Sequence, residues 1–384
     1  LPATDVTDTA LAERAKALEK IGSVRMNSGH LQAALGSFAA STQISSRLAA
    51  AEPANVSRRV AYSRTLAFIG MAHWDQGNLG KAQQDFESSR HALRSSPAKG
   101  KDDLSLIFQV DQLDDDIGHV LEARGQPQAA QTAYRDELVL SRKLATAKPD
   151  NTDYASSLGM AHNNLGKLAL QRGDLATAIT EYRADDAIET RLSADDPKNN
   201  DQRADMMRVR AILGRTLALA GDNQAGMQDL QQAVNMAAGL CKAAPNDTSC
   251  LEHLALYASQ LARLLRANRD LPAARALTAR AIGIFAGLTQ KDPSNGDWQS
   301  EYAEVLTEQA ADEDPGLPAL ACDGSGGVVD EAGLAEALGI RQGEPELGSV
   351  QRAAAGGSTR RGGDLRVRDA APGGHQVHLA GPHH

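Results

Sequence analysis

Small residues return every 48 positions along most of the chain: Gly22, Gly70, Gly118, Gly166 and Gly214, then Ala262. A second column runs in the same register through Gly29, Gly77, Gly125, Gly173 and Gly221, with Arg269 breaking it. Two more keep step: Ala34, Ala82, Ala130, Ala178, Gly226 and Ala274, and Phe38, Phe86, Tyr134, Tyr182, Leu230 and Thr278. Prolines close the units at Pro53, Pro149, Pro197, Pro245 and Pro293, while Pro97 falls early. Self-similarity at a fixed period of this length specifies a stack of like units, a solenoid, rather than a single globular core.

Residues 152–198 show what one unit encodes. Leu158, Ala161, Leu165 and Leu168 recur at helical spacing and share one face. The pattern stops at Gly173, a residue type that reaches left-handed angles without steric cost. Asp174 follows as an N-cap, and a second apolar stripe runs through Leu175, Ala178, Ile179, Tyr182, Ile188 and Leu192. Pro197 and Asn199 close the unit, with Asn200 or Asp201 opening the next helix. Each period is therefore a helical hairpin with long arms, unable to bury its apolar face without neighbours. Gly166 sits mid-helix, where glycine costs roughly 1 kcal/mol relative to alanine. Its recurrence in register points to close approach of two helices, with Ala178 facing it and Tyr182 filling the wedge beside them.

The order Leu165-Gly166, Gly173, Ala178, Tyr182, Pro197 resembles the tetratricopeptide repeat, whose consensus sets Leu-Gly, Gly, Ala, aromatic and Pro in that sequence. The usual period of that family is about 34 residues. The excess here equals about four helical turns and lengthens both helices with the same faces inward. The resemblance covers roughly residues 8 to 312. It implies an all-α, right-handed α-solenoid of about six extended hairpins plus a terminal helix. The fifth unit loses the aromatic and the sixth loses both glycines and the aromatic. The long variant, with runs such as Asp292-Pro293-Ser294-Asn295, is similar to arrays in large bacterial signalling proteins, which often follow a serine/threonine kinase domain. That likeness implies an alternative role as the C-terminal regulatory or sensor part of such an enzyme.

Composition narrows the function classes. A formal charge of −9 and a pI near 5.6 argue against a general nucleic-acid binder. No run of 18 or more apolar residues is present, so no membrane span is expected. The chain opens at Leu1 almost directly into the first unit, as expected of a piece of a longer polypeptide. A cytoplasmic location is expected, or a periplasmic one if the array belongs to a membrane-tethered receptor kinase. Cys241 and Cys250 flank a Pro-Asn-Asp turn whose geometry permits a bridge, although cytoplasmic cysteines would stay unpaired.

The solenoid is expected over residues 1–312. Residues 313–384 change character to Gly, Ala, Arg and Pro without lysine or aromatics, and are expected to be a disordered or out-of-frame tail. One short helix is predicted near Glu331 to Leu338. His375, His378, His383 and His384 cluster at the end, where an unstructured terminus is favoured over a metal site. The last array helix is predicted near 297–312.

No nucleophile elbow, phosphate loop, dinucleotide fingerprint, zinc-protease helix or kinase signature occurs, so no catalytic residue, cofactor or metal site is predicted. His119, Asp115 and Glu122 share a helical face and read as a polar surface; the run Asp111, Asp114, Asp115, Asp116 reads as solvated. In tetratricopeptide arrays the first helix of each hairpin lines an inner groove. By register, the resemblance puts Lys16, Glu19 and Arg64 at the start of that groove, and Gln112, Asp115, His119 and Glu122 at its acidic centre. Basic residues follow in the C-terminal half. The partner-binding candidates are Met71, Trp74, Asn163, Lys167, Arg208, Arg215, Arg263 and Arg266. The apolar pair would hold the body of a protein or peptide ligand, and the basic set would clamp carboxylates if that ligand is acidic. The expected function is a non-catalytic protein–protein interaction scaffold.

Overall fold

The computed structural model describes residues 7–94 and 103–313. Among them the secondary structure is helical throughout, in thirteen helices. The first helices of the six hairpins are α1 (Asp8–Asn27), α3 (Val56–Asp75), α5 (Leu104–Ala123), α7 (Thr152–Gln171), α9 (Asn200–Leu219) and α11 (Thr248–Ala267). Their second helices are α2 (Leu31–Ala51), α4 (Leu79–Arg94), α6 (Pro127–Ala147), α8 (Leu175–Asp195), α10 (Asn223–Ala243) and α12 (Leu271–Lys291). The closing helix α13 spans Gly296–Glu313. Each helix packs on the one before it and the one after it, so the described residues form a single α-solenoid. The predicted tail, the short helix near Glu331 and the histidine cluster lie outside the described residues.

The turn within each hairpin follows from its glycine. Gly173 takes φ +75°, its N–H donates to the Leu170 carbonyl at 2.9 Å, and the Asp174 N–H donates to the Ala169 carbonyl at 2.9 Å. This is the paired closure of a left-handed helix cap, and Gly29, Gly77, Gly125 and Gly221 repeat it with φ between 69° and 87°. Arg269 takes the same position at φ 65°, the one non-glycine residue with positive φ among the described residues. Between hairpins the caps are side chains. Asn151 Oδ1 accepts from the Tyr154 N–H at 2.9 Å, and Asp247 Oδ1 from the Ser249 N–H at 3.0 Å.

The mid-helix glycines answer to their aromatics more than to the alanine column. A Cβ on Gly166 would lie 2.9 Å from Cε1 of Tyr182, and one on Gly70 would lie 2.8 Å from Cε1 of Phe86. Phe38 and Tyr134 cover Gly22 and Gly118 in the same way, and all four rings are buried. In the fifth hairpin, where Leu230 replaces the ring, the backbones close instead: a Cβ on Gly214 would meet the Gly226 carbonyl oxygen at 2.8 Å. In the sixth, Ala262 pairs with the smaller Thr278, and both are buried. Volume is conserved across the crossing while its residues change.

Cys241 and Cys250 form a disulfide, with Cα atoms 5.5 Å apart, across the turn joining α10 to α11. Of the two states left open by the sequence, the structure has the bridged one: the turn brings the two helix ends within bridging distance. By length and composition α12 could cross a membrane. Here it is the second helix of the sixth hairpin, with Ala274, Thr278, Ala281, Phe285 and Leu288 buried.

Candidate binding surface

Successive first helices touch one another (α1–α3, α3–α5, α5–α7, α9–α11 and α11–α13), whereas successive second helices make no contacts of comparable extent. The first helices therefore lie on the inner side of the curve, as the resemblance implies. Contact between α7 and α9 is slighter than at the other junctions. Met160 and Arg208, which hold the same register on those two helices, are both exposed.

The expected binding residues all belong to first helices, and most of them are engaged. Met71 and Trp74 are half-buried and pack against the core of the second and third hairpins. Asn163 Nδ2 donates to Asp185 Oδ2 at 2.9 Å. Lys167 Nζ pairs with Glu122 Oε2 at 2.8 Å. Arg263 pairs with Glu304 at 2.8 Å and with Glu308, and Arg266 Nη1 lies 3.6 Å from Glu308 Oε2. Arg215 is buried. Arg208 pairs only with its own-helix neighbour Asp205 among the ion pairs found, and its side chain is half exposed. The structure thus brings Lys167, Arg263 and Arg266 to acids of this chain rather than to one another.

These contacts form a ladder between neighbouring first helices. Arg64–Glu19, Gln112–Ser157 and Arg263–Glu308 all join residues 45 positions apart. Asn164–Asp115 and Gln171–Glu122 join residues 49 apart. One separation is the period less a helical turn and the other the period plus one residue, which is how adjacent first helices are staggered. Opposite charges at those separations are visible in the sequence and could have revealed the ladder.

The acidic run of α5 departs from its reading as a solvated surface. Asp111 and Asp114 are fully buried. Their helix is wedged between α4, α6 and α7, and only Asp115 and Asp116 of the run stay part-exposed. Arg90 and Arg94 of α4 hold Asp114 at 2.7 and 3.0 Å, yet burial still raises its pKa. Neither oxygen of Asp111 meets a donor in hydrogen-bonding geometry. Burial pushes its carboxyl up to about 8, against the proximity of Ser157 and Gln112. Burial also holds Glu137 of α6 well above the usual carboxylate range, reinforced by Asp115 and Asp111.

His119, Asp115 and Glu122 do converge, around the tyrosine of the wedge. The Tyr134 hydroxyl lies 3.0 Å from His119 Nδ1 and donates to Glu122 Oε2 at 3.0 Å, while His119 Nε2 lies 3.3 Å from Asp115. Burial opposes ionisation of Asp115, but His119, Asn164 and Lys167 together keep its pKa below the ordinary value. Glu122 is held down in the same way, by Lys167 and Gln171. The network is closed and its acids are neutralised within the chain. Among the described residues, no three His, Cys, Asp or Glu side chains are grouped to hold a metal ion.

No protein-family model matches the chain, and no curated protein matches it in sequence. Solved structures do match it. BtubC (BKLC) from P. vanneervenii is 17% identical over 67% of this chain and 92% of its own, with a TM-score of 0.50. The S. pombe nuclear import adaptor Nro1 is 12% identical over 78% and 99%, with a TM-score of 0.53. A putative kinesin light chain of Podosopora anserina with nearly identical TPR-like repeats is 15% identical over 59% and 96%, at 0.44. The fold is a tetratricopeptide-type array. The first two likenesses carry that statement at the level of fold, together with the paired helices and the Gly/Ala/aromatic register. None of the three speaks for attachment to a kinase.

Proposed function

We propose that the chain is a protein-interaction scaffold that lays a segment of a partner along the inner face of its first helices. The observation that carries this reading is the exposed Met160 on α7 and half-exposed Arg208 on α9, which stand in the same register on neighbouring first helices. An apolar side chain beside a guanidinium suits a segment that alternates an apolar residue with a carboxylate. Met71 and Trp74 extend the apolar track. Lys167, Arg263 and Arg266 join it by exchanging Glu122 or Glu308 for a partner's acid, and Asn163 by releasing Asp185. Arg215 is buried, so reversing its charge would test stability before binding. The description of Nro1 as an adaptor supports the same class of role.

Photo-reactive residues at positions 160, 208 and 139 test this, because Val139 is as exposed as either but sits on the second helix α6. The expected result is one partner segment cross-linked from positions 160 and 208, absent at 139, and lost in Arg208→Glu. Equal cross-linking at 139, or capture unchanged in Arg208→Glu, would remove the inner face as the binding surface.

A further inference from the structure

Between α1, α2 and α3 the packing leaves a cavity of about 210 Å³, with Ala12, Ala15, Leu48 and Ala61 as its apolar wall. Its cause is visible two periods further on. Ala12 and Arg58 hold the places of Phe108 and Tyr154, and Asp8 holds that of Leu104. At the junction of the third and fourth hairpins Leu104, Phe108 and Tyr154 meet in one cluster with buried Ile107 and Leu144, the two rings 5.3 Å apart. Leu48 keeps the place of Leu144 and is buried like it, whereas an alanine methyl stands where the Phe108 ring does. An engineered apolar cavity of about 150 Å³ is enough to hold benzene, so this space is of the size of one ring.

Where Tyr154 closes the later cluster, Arg58 closes this one. Its guanidinium donates to Asp8 Oδ2 at 2.9 Å and to the Leu48 carbonyl at 3.3 Å, and pairs with Glu52 Oε1 at 3.1 Å. Other polar groups of the wall are engaged too: Glu19 with Arg64 at 2.9 Å, Ser45 with Thr65 at 3.2 Å, and Asn55 Nδ2 with Glu52 at 2.8 Å. A ligand therefore gains contact area and a fixed guanidinium here more than new hydrogen bonds. A guanidinium attracts the face of an aromatic ring and offers an aliphatic group of equal size nothing comparable. Lys16 and Arg64, which also line the cavity, hold the register of Met160 and Arg208 on their own first helices. A segment following that column passes the cavity.

We infer that the cavity receives one phenylalanine side chain of the segment held along the first helices, its ring lying in the place that Phe108 fills in the third hairpin. What carries the ring rests on the scaffold reading above; the fit of the ring does not. Phenylalanine suits it better than tyrosine, whose buried hydroxyl would need a partner of its own.

Methyl NMR of the full chain tests this, with N-acetyl-phenylalanine methylamide as the probe and its cyclohexylalanine analogue beside it. The phenyl probe should shift the methyls of Ala12, Ala15, Leu48 and Ala61 and leave those of Val139, on α6, unmoved. It should bind roughly three-fold tighter than the cyclohexyl analogue. That preference should vanish in Arg58→Lys, which keeps the charge and loses the flat face. Ala12→Phe places the residue of the third hairpin in the first, and should raise the unfolding temperature and abolish probe binding. Wall methyls that stay still, two probes that bind the wild type equally, or a folded Ala12→Phe that still binds would each overturn the inference. If Ala12→Phe does not fold, the two probes on the wild type decide. Toluene shifting the wall methyls where the capped phenylalanine does not would overturn the side-chain occupant in favour of a free ring. Cross-linking from positions 160 and 208 reports the course of the segment separately, so the cavity and the scaffold reading fail independently.

Discussion

The third and fourth hairpins differ from the fifth and sixth at the point where the two helices of each pair cross. In the central hairpins that point holds Asp111, Glu137 and Ser141, then Gly159, Asp185 and Glu189; all the carboxylates are buried. In the C-terminal hairpins the same three columns hold Met207, Ala233 and Ala237, then Ala255, Ala281 and Phe285, equally buried. The first two hairpins use hydroxyls there: Ser41 Oγ donates to the Ala15 carbonyl at 2.9 Å, and Ser63 and Ser89 lie 2.7 Å apart. Backbone geometry is set by the period, and the crossing accepts whatever fills its volume. The chemistry placed there decides how that stretch responds to conditions. Dry alkyl groups are indifferent to pH, whereas carboxyls with too few donors are stable only while they hold protons.

The largest effect expected from this contrast is therefore on the pH dependence of stability. Burial raises Asp111 to about 8 and Asp185 and Glu189 to about 7, with Asp185 also feeling Asp186, and Glu189 feeling Asp185. Their folded values exceed the unfolded ones, so the folded chain binds more protons through this interval. The stability they contribute is complete below about pH 4 and is lost as pH rises through about 7 to 8. Asp115 and Glu122, held low, act in the opposite sense only below about pH 4. Urea unfolding should show a loss on the order of 5 kcal/mol from about pH 5 to about pH 9. Hydrogen exchange should place that loosening in α5 to α8 and leave α9 to α12 protected. Asp111→Asn/Glu137→Gln/Asp185→Asn/Glu189→Gln should flatten most of the profile. A slope unchanged in this quadruple variant, or one that rises with pH, would refute the contrast.

A second effect turns on the fifth hairpin, where the alanine column holds Gly226. Every other hairpin carries alanine at this place, so Gly226→Ala restores the repeat consensus and raises helix propensity. It should nonetheless destabilise the chain by about 2 kcal/mol. A Cβ there would meet the Gly214 carbonyl oxygen at 2.6 Å and the Ala218 amide at 3.1 Å, and backbone cannot turn aside as a side chain can. Thermal unfolding of Gly226→Ala beside Ala178→Gly reads the difference, since in the fourth hairpin it is the alanine that fills the space. A stabilised Gly226→Ala would show that the fifth crossing is no tighter than the rest.

The fold was legible because its signals are local and repeated. Gly173 with Asp174, and Asn151 before α7, each act within a few residues of their position, and a misreading in one unit is corrected by its neighbours. The crossing was only half legible: Gly166 signalled close approach, but not that Tyr182 would lie over it rather than beside it. The acidic run misled for a physical reason. Whether Asp111 meets water depends on α4, α6 and α7 enclosing it, and nothing within its own helix reports that enclosure. The partners of Lys167 and Arg263 were hidden for a similar reason, lying almost one period away. Only the stagger of adjacent first helices turns such distant charges into neighbours.

The smallest effect is the cleanest to isolate, because it involves no packing. Arg269 is exposed and takes φ 65°, while Gly173 does the same work at φ 75°. A side chain in the left-handed region costs about 1 to 2 kcal/mol, whereas glycine costs about 0.4 to 1 kcal/mol in the unfolded chain. Arg269→Gly should therefore stabilise the array by roughly 0.5 to 1 kcal/mol, the margin between those terms. Gly173→Arg should destabilise it by a similar amount, since a Cβ at Gly173 meets nothing within 4 Å and Arg269 is exposed. Chemical denaturation of the reciprocal pair measures both changes. If Arg269→Gly were neutral or harmful while Gly173→Arg cost the expected amount, the arginine would have to be compensated by its own surroundings. The sixth turn would then differ from the fourth in more than one residue.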